Sequence, residues 1–308
     1  MFGGCYTALI TPFCGDEVDR GGLERLVAFQ IENGTRGILA VGTTGESPVL
    51  NWREHNEVTE MVCRLTQGHG TAIAGTGSNC TRESLEATEH AVKCGAGAVL
   101  LVDPYYNGPS SLEIRREYVT PIANAFPEVP VIPYVIPGRS GTQLLPEDLA
   151  MLHAACPNVS TVKEATGDRA NMARTRALCG GDFVILSGDD DMTFDMMTAP
   201  DIRAAGVISV ISNIAPKALQ QLTGLIDAGK REQAETLLLA LKPLLGMVTV
   251  KTEEQTPYGP VTCRARNPLA VKTLMNILGM PSGPCRPPLG KLTRRGLDVV
   301  LGVARTVQ

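Results

Sequence analysis

The 308-residue sequence lacks the residue patterns of several common protein classes. It has only four histidines, and they do not stand at the spacing of metal ligands. Its nine cysteines are an odd number and form no CxxC pair, which argues against a disulfide framework or a structural zinc site. Buried, reduced thiols are the better interpretation. We therefore expect neither a metal ion nor another cofactor.

Long apolar runs and clusters of basic residues are also absent. There is no stretch of about 18 apolar residues, and the N-terminal segment MFGGCYTALITPF has no basic region, so neither a membrane span nor a signal peptide is expected. The net charge is −4, from 28 basic and 32 acidic residues, and no Arg/Lys run exceeds two. Nucleic acid is therefore not an expected partner, and the protein is expected in the cytoplasm.

The sequence does contain a regular alternation of short apolar segments and longer amphipathic ones. Eight strand–helix units in about 225 residues predict the α/β class, with a parallel sheet closed into a (β/α)8 TIM barrel over residues 1–229. An open doubly wound sheet is the alternative, but it usually has fewer units. Beyond residue 229, helical patterns near 230–245, 267–279 and 293–307 predict a helical C-terminal domain over 230–308. The predicted strands lie near 5–9, 37–41, 71–74, 98–102, 130–134, 159–162, 183–186 and 206–210.

A single lysine among eight, Lys163, stands at the end of a predicted barrel strand. In a TIM barrel the active site lies at the carboxyl ends of the strands. Burial there would lower the pKa of the amine, and a neutral amine can attack a ketone to form a Schiff base. The alternative is a lysine whose stem is buried and whose ammonium reaches water.

Hydroxyl groups and one arginine are predicted at the same end of the barrel. One predicted strand ends at Tyr134, and Thr43, Thr44 and Tyr106 follow two others; their hydroxyls can donate and accept protons. Arg139, five residues after Tyr134, has the planar fork that suits a carboxylate. The acidic run 189–191 is compatible with a metal site, but no histidine is near it, and the first turn of a helix explains it more simply.

Several of these segments resemble the dihydrodipicolinate synthase family, which belongs with the N-acetylneuraminate lyases among class I aldolase-like barrels. The segment NPLAVK (267–272) resembles the family's Asn-Pro-x-Pro-x-Lys element, and roughly a dozen extra residues (253–266) precede it. The other matching segments, in the family's order, are GTTGES (42–47), DPYYN (103–107), YVIPGRSG (134–141), TVKEATGD (161–168), LSGDD (186–190) and GVISV (206–210).

The resemblance implies a mechanism in which pyruvate is bound as a Schiff base on Lys163. Tyr134 is then expected to donate and accept the proton above it. Thr43 is expected to link Tyr134 to Tyr106, which in the family reaches over from a neighbouring subunit. A homotetramer built as a dimer of dimers is the implied assembly.

The resemblance also implies how two substrates are held. Thr44, Gly188 and the backbone around Ile208 are expected to bind pyruvate. Arg139 is expected to bind the carboxylate of L-aspartate 4-semialdehyde. The implied activity is the condensation of these two compounds in lysine (diaminopimelate) biosynthesis.

Three other functions remain open at this point. A pyruvate-dependent aldolase of the same family could cleave a 2-keto-3-deoxy sugar acid or sialic acid, although sialic-acid lyases usually have GSTGE and lack the arginine. A catalytically silent barrel would be expected to have lost Lys163, Tyr134 or Tyr106. A metal-dependent class II aldolase is disfavoured by the scarcity of histidine.

A second site, for L-lysine as an effector, is implied by a further match with some members of the family. Glu83 is expected to accept the ligand's ammonium group, and Asn79 and Tyr105 to hydrogen-bond its polar groups. The alternative is that Asn79 and Glu83 merely begin a helix. The matching positions are Ser47, Pro48, His55, Asn79, Glu83 and Tyr105.

Overall fold

The computed structural model describes residues 2–307, and its centre is a closed barrel of eight parallel strands. Each strand pairs with the next, and the last pairs with the first. The strands are almost entirely buried, since alternate side chains face the barrel interior and the surrounding helices. The predicted (β/α)8 barrel is confirmed, and the open doubly wound sheet is wrong. The strands are β1 Gly4–Ala8, β2 Gly37–Ala40, β3 Thr71–Gly75, β4 Ala98–Val102, β5 Val131–Val135, β6 Thr161–Glu164, β7 Val184–Ser187 and β8 Gly206–Ser209.

Helices follow the strands, and side-chain caps fix the start of several. The Asp19 and Asp168 carboxylates accept backbone N–H bonds from the first turns of their helices, and Asn51 forms a capping box with Glu54. In the fourth helix, Ile114–Val119 is a π-helix. The helices are α1 Arg20–Glu32, α2 Trp52–Thr66, α3 Thr81–Lys93, α4 over 111–125, α5 Pro146–Ala155, α6 Arg169–Cys179, α7 Thr193–Thr198 and α8 Pro216–Asp227.

Lys163 lies within β6 rather than after it. The strand was predicted over 159–162 and runs over Thr161–Glu164. Before the strand, residues 157–158 form a turn, and the Asn158 side-chain amide contacts the carbonyl oxygens of Ala123, Phe126 and Val129.

The C-terminal part contains the three predicted helices and one element that was not predicted. The helices α9 Arg231–Leu245, α10 Leu269–Ile277 and α11 Arg294–Val307 agree with the prediction. Between α9 and α10, β9 Thr249–Thr256 and β10 Gly259–Arg266 form an antiparallel hairpin, so the expectation of an all-helical appendage is wrong there. Most hairpin side chains are at least partly exposed, so the segment lacks the apolar alternation by which a half-buried strand is recognised.

A buried ion pair connects this C-terminal part to the barrel. The Lys272 ammonium lies 2.7 Å from Glu46 Oε1, and both side chains are only 1% exposed. Lys272 also donates to the carbonyl oxygens of Thr11 and Pro284, each at 2.9 Å. The NPLAVK segment is thereby held against the GTTGES loop at the mouth of the barrel. In residues 2–307, no helix is long and apolar enough to cross a membrane.

Candidate active site

Two side chains on neighbouring strands form the centre of the site. Tyr134 on β5 is in register with Lys163 on β6, and the Lys163 Nζ lies 4.0 Å from the centre of the Tyr134 ring. Each residue is only 4% exposed. Side chains at paired positions point to the same face of a sheet, which here is the barrel interior.

The environment of Lys163 favours its neutral form. Burial lowers the pKa of Lys163 from 10.5 to about 7, although the charges of Asp189 and Asp190 partly oppose this shift and Arg139 adds to it. The lysine is therefore not the exposed, charged strand-end residue of the alternative interpretation. It has the neutral fraction that a nucleophilic amine needs near neutral pH.

The pKa of Tyr134 is shifted upward, whereas that of Lys163 is shifted downward. Burial raises the pKa of Tyr134 to about 12, while the positive charge of Arg139 and a hydrogen bond with Thr43 moderate the rise. The phenol therefore stays protonated across the neutral range and can donate a proton to a group bound at Lys163.

A cavity of about 300 Å3 lies next to this pair, and most of the predicted substrate-binding residues line it. The Arg139 side chain lies on the short helix Pro137–Ser140, and its Nη2 donates to the Asn267 carbonyl oxygen at 3.3 Å. Burial lowers the pKa of Arg139. The lining residues include Thr44, Tyr134, Arg139, Lys163, Gly188, Asp189, Val248, Thr249, Lys251, Arg264, Arg266 and Asn267.

Gly188 sits where no side chain fits. A Cβ atom at this position would lie 2.8 Å from the Ala165 Cβ and 3.2 Å from the Lys163 Cε. Glycine therefore leaves the space beside the amine open. Ile208 on β8, also predicted at the substrate site, is fully buried in the barrel core and is not among the residues that line the cavity.

Several residues of the cavity were not predicted as site residues, among them Asn267, Asp189 and the hairpin residues Thr249, Lys251, Arg264 and Arg266. Asn267 was quoted only as part of a family element, yet its side-chain amide donates to the Thr44 hydroxyl at 2.9 Å. Its Oδ1 is buried and has no hydrogen-bond partner among residues 2–307. Asp189 was predicted at a helix start and does stand at the N-cap of the 3-10 helix Asp190–Met192, but its side chain caps no backbone N–H and also lines the cavity.

The carboxylate of Asp190 is hydrogen-bonded to the end of the neighbouring strand β8. This buried carboxylate accepts hydrogen bonds from the Ser209 hydroxyl and, at 2.8 Å, from the Val210 N–H. Burial raises the pKa of Asp190 to about 6. These contacts tie the loop after β7 to the end of β8.

Tyr106 is not brought to Lys163 within the chain. Its side chain is 93% exposed, and its φ of 80° is in the left-handed region that non-glycine residues rarely adopt. Thr43, by contrast, is close enough to hydrogen-bond Tyr134.

A smaller cavity of about 180 Å3 contains most of the expected effector residues. His55 is buried there, and its Nε2 donates to the Gly75 carbonyl oxygen at 3.0 Å, while its Nδ1 has no partner among the described residues. Asn79 is exposed and lies outside the lining of this cavity within a single chain, and its role stays a prediction. The lining consists of Ser47, Pro48, Leu50, Trp52, His55, Gly77, Ser78, Glu83 and Tyr105.

Another cavity lies at the other end of the barrel. Its volume is about 690 Å3, and it is lined by residues at the amino ends of the strands, including Thr71, Pro130 and Thr161. It contains none of the predicted site residues, and in TIM barrels this end contributes to stability rather than catalysis.

The closed barrel and the buried lysine–tyrosine pair are the features of a class I aldolase-like barrel. The chain belongs to the Dihydrodipicolinate synthetase family, because the model of that family matches residues 1–303.

Relatives of known name agree with this assignment. The chain is 40% identical over 286 residues to 4-hydroxy-tetrahydrodipicolinate synthase of Methanococcus maripaludis, covering 93% of this chain and 92% of the relative. It is 39% identical over 305 residues to the enzyme of the same name from Geotalea daltonii, covering 99% and 98%.

Solved structures agree as well. Dihydrodipicolinate synthase from Aquifex aeolicus superposes with a TM-score of 0.90 at 34% identity, covering 99% of this chain and 97% of the other. The enzyme from Cyanidioschyzon merolae with lysine bound superposes with a TM-score of 0.89 at 34% identity, covering 99% and 98%.

Proposed function

We propose that the protein is a 4-hydroxy-tetrahydrodipicolinate synthase, which condenses pyruvate with L-aspartate 4-semialdehyde in lysine (diaminopimelate) biosynthesis. The observation that carries the proposal is the buried Lys163 with its Nζ 4.0 Å from the Tyr134 ring, in a cavity that also contains Arg139. The names of the relatives support the choice of substrates.

The first half of the reaction is the formation of a Schiff base with pyruvate. The neutral Lys163 amine attacks the ketone carbon, and the resulting carbinolamine loses water to give an iminium ion. Tyr134 donates the proton that the departing hydroxyl group needs, because its raised pKa keeps the phenol protonated. The Tyr134 phenolate left by this step then accepts a proton from the pyruvate methyl group, which gives an enamine.

Three groups near the amine suit the pyruvate carboxylate. The Thr44 hydroxyl can donate to it, since that hydroxyl already accepts a hydrogen bond from Asn267. Gly188 leaves room beside the Lys163 Cε, and the backbone around Ile208 is the third group that we assign to the pyruvate carboxylate.

The second half is attack of the enamine on the aldehyde of L-aspartate 4-semialdehyde. Arg139 binds the carboxylate of this substrate through its planar guanidinium group. Its position in the same cavity as Lys163 supports this role.

A homotetramer is the proposed assembly, with Tyr106 completing the site of a neighbouring subunit through Thr43. The 93% exposed side chain of Tyr106 and its strained backbone support a contact outside its own chain. A cytoplasmic location is proposed because all nine cysteines are free, as in a reducing compartment.

The test is an initial-rate assay with pyruvate and L-aspartate 4-semialdehyde, beside a panel with 2-keto-3-deoxygluconate and N-acetylneuraminate. The wild type is expected to condense the first pair and to cleave neither of the other compounds efficiently. Lys163→Ala is expected to be inactive, while the matched control Lys230→Ala, at an exposed lysine, keeps full activity. Preferential cleavage of a sugar acid would assign the chain to the alternative aldolases of the family.

A further inference from the structure

The unpredicted hairpin β9–β10 carries cations at the mouth of the active-site cavity. Lys251 pairs directly with Arg264 across the hairpin, and Thr249 pairs with Arg266. Directly paired residues share one face of a sheet, and all four of these residues line the cavity. We call Lys251, Arg264 and Arg266 the hairpin cations.

The opposite face of the hairpin attaches it to the rest of the protein. Val250 is buried, and Ala265, its cross-strand partner, packs against the same apolar core. The Thr252 hydroxyl lies 3.4 Å from that of Thr293, next to α11. Apolar and hydroxyl groups anchor this face, and neither Lys251 nor Arg264 takes part in these contacts.

The positions of the hairpin cations are electrostatically unfavourable in the unliganded protein. Like charges directly opposite each other on paired strands are destabilising, and Lys251 faces Arg264 in this way. Arg266 is close enough to Arg139 for its charge to lower the pKa of that guanidinium. Two pairs of like charges thus meet around one cavity.

No carboxylate within residues 2–307 forms an ion pair with these cations, although the charge of the nearby Asp189 raises the pKa of Arg139 against the lowering effect of burial. None of the hairpin cations, nor Arg139, has a carboxylate oxygen within 4.0 Å in that part of the chain. By contrast, Arg286 in the same C-terminal part binds both oxygens of Glu54, at 2.7 and 2.9 Å. Asp189 lies on the cavity wall but forms no ion pair with any of the four.

Arg266 is already oriented for a ligand. It is half-buried, and its Nη1 donates to the Gly138 carbonyl oxygen at 3.2 Å, next to Arg139 in the chain. The guanidinium groups of Arg139 and Arg266 each have further N–H groups, and these can bind one planar anion together. Lys251 and Arg264 are exposed farther out, where they meet solvent first.

We propose that the hairpin cations form an anion-binding subsite for the carboxylate of the acceptor aldehyde, with Arg266 sharing that carboxylate with Arg139. Lys251 and Arg264 attract the anion to the mouth, which raises the rate of productive encounter. The proposal rests on the proposed function only in taking L-aspartate 4-semialdehyde as the aldehyde.

The test compares Arg266→Gln and the double variant Lys251→Gln/Arg264→Gln with Arg294→Gln. The control removes an exposed cation, 89% exposed, from the same C-terminal part but outside the cavity. KM for each substrate and kcat are measured at low and high salt. The yield of borohydride-trapped pyruvate is measured in parallel.

For Arg266→Gln we expect kcat/KM for the aldehyde to fall by about 10-fold or more, as for loss of a charge-assisted hydrogen bond. The double variant is expected to lose about 3- to 10-fold, mostly at low salt, because exposed charges act through a screened field. KM for pyruvate and the trapping yield are expected to stay unchanged. Unchanged aldehyde kinetics in both variants, or an equal loss in Arg294→Gln, would overturn the proposal.

A binding measurement separates this proposal from the proposed function. The Schiff base between Lys163 and pyruvate is first reduced with borohydride, which leaves the pyruvyl group fixed on Lys163. This enzyme is then titrated calorimetrically with succinate as a carboxylate probe. Wild type is expected to bind succinate at least about 5-fold more tightly than either variant, whether or not it turns over the aldehyde. Equal binding by the wild type and the variants contradicts the subsite even if the condensation activity is present.

Discussion

The lowered pKa of Lys163 can be tested by its reactivity as a function of pH. A shift from 10.5 to about 7 raises the neutral fraction at pH 7 from about 0.03% to about half. This is a gain of roughly three orders of magnitude in nucleophilic amine, since only the neutral form attacks a carbonyl group.

The assay is competitive labelling of the free enzyme with trace acetic anhydride from pH 5.5 to 10.5, followed by peptide mass spectrometry. Label on Lys163 is expected to rise through a midpoint near pH 7 and to level off above about pH 8.5. Label on the exposed Lys230, measured in the same samples, corrects for decay of the reagent. A Lys163 midpoint near 10 would refute the reasoning.

Two substitutions should move the midpoint in opposite directions. Asp189 raises the pKa of Lys163, so Asp189→Asn is expected to shift the midpoint to lower pH. Arg139 lowers that pKa, so Arg139→Ala is expected to shift it to higher pH. Shifts of the same sign in both variants would show that a general change of burial, and not the two charges, is responsible.

Three further predictions follow from other parts of the structure. Arg139→Ala is expected to reduce kcat/KM for the aldehyde by roughly 10- to 150-fold while pyruvate trapping is retained, and equal kinetics in steady-state assays would contradict the role of the arginine. Lys272→Met is expected to lower the free energy of unfolding by ~3–5 kcal/mol in denaturant titrations, because Glu46 is left buried without its partner, and Glu46→Gln in the same chain should recover part of the loss. Millimolar L-lysine is expected to reduce the initial rate of the wild type and to reduce that of Glu83→Ala less. Asn79→Ala is expected to be inhibited as much as the wild type, because Asn79 lies outside the smaller cavity. Absence of inhibition in the wild type would refute the predicted effector site.

The barrel was predictable from local pattern because its strands are short, apolar and separated by amphipathic helices. The candidate site followed from the same pattern, since parallel strands bring their carboxyl ends to one rim. Thr44, Tyr134, Arg139, Lys163 and Gly188 do line one cavity, although their roles remain predictions.

The features that were missed depend on contacts between distant segments. The hydrogen bond between Asn267 and Thr44 and the ion pair between Lys272 and Glu46 both join segments more than 200 residues apart. The hairpin was missed because its strands are polar and are anchored through long-range contacts. Asn79 was placed in the effector site by its position in the chain, but the turn before α3 directs it to solvent.

The central claim is that Lys163 is the nucleophile that binds pyruvate, and borohydride trapping tests it most directly. Enzyme incubated with pyruvate and borohydride, then digested and mapped by mass spectrometry, is expected to carry one reduced pyruvyl group on Lys163. The same treatment should leave Lys163→Ala unlabelled and inactive. A pyruvyl group on another lysine, or full activity in Lys163→Ala, would contradict the account.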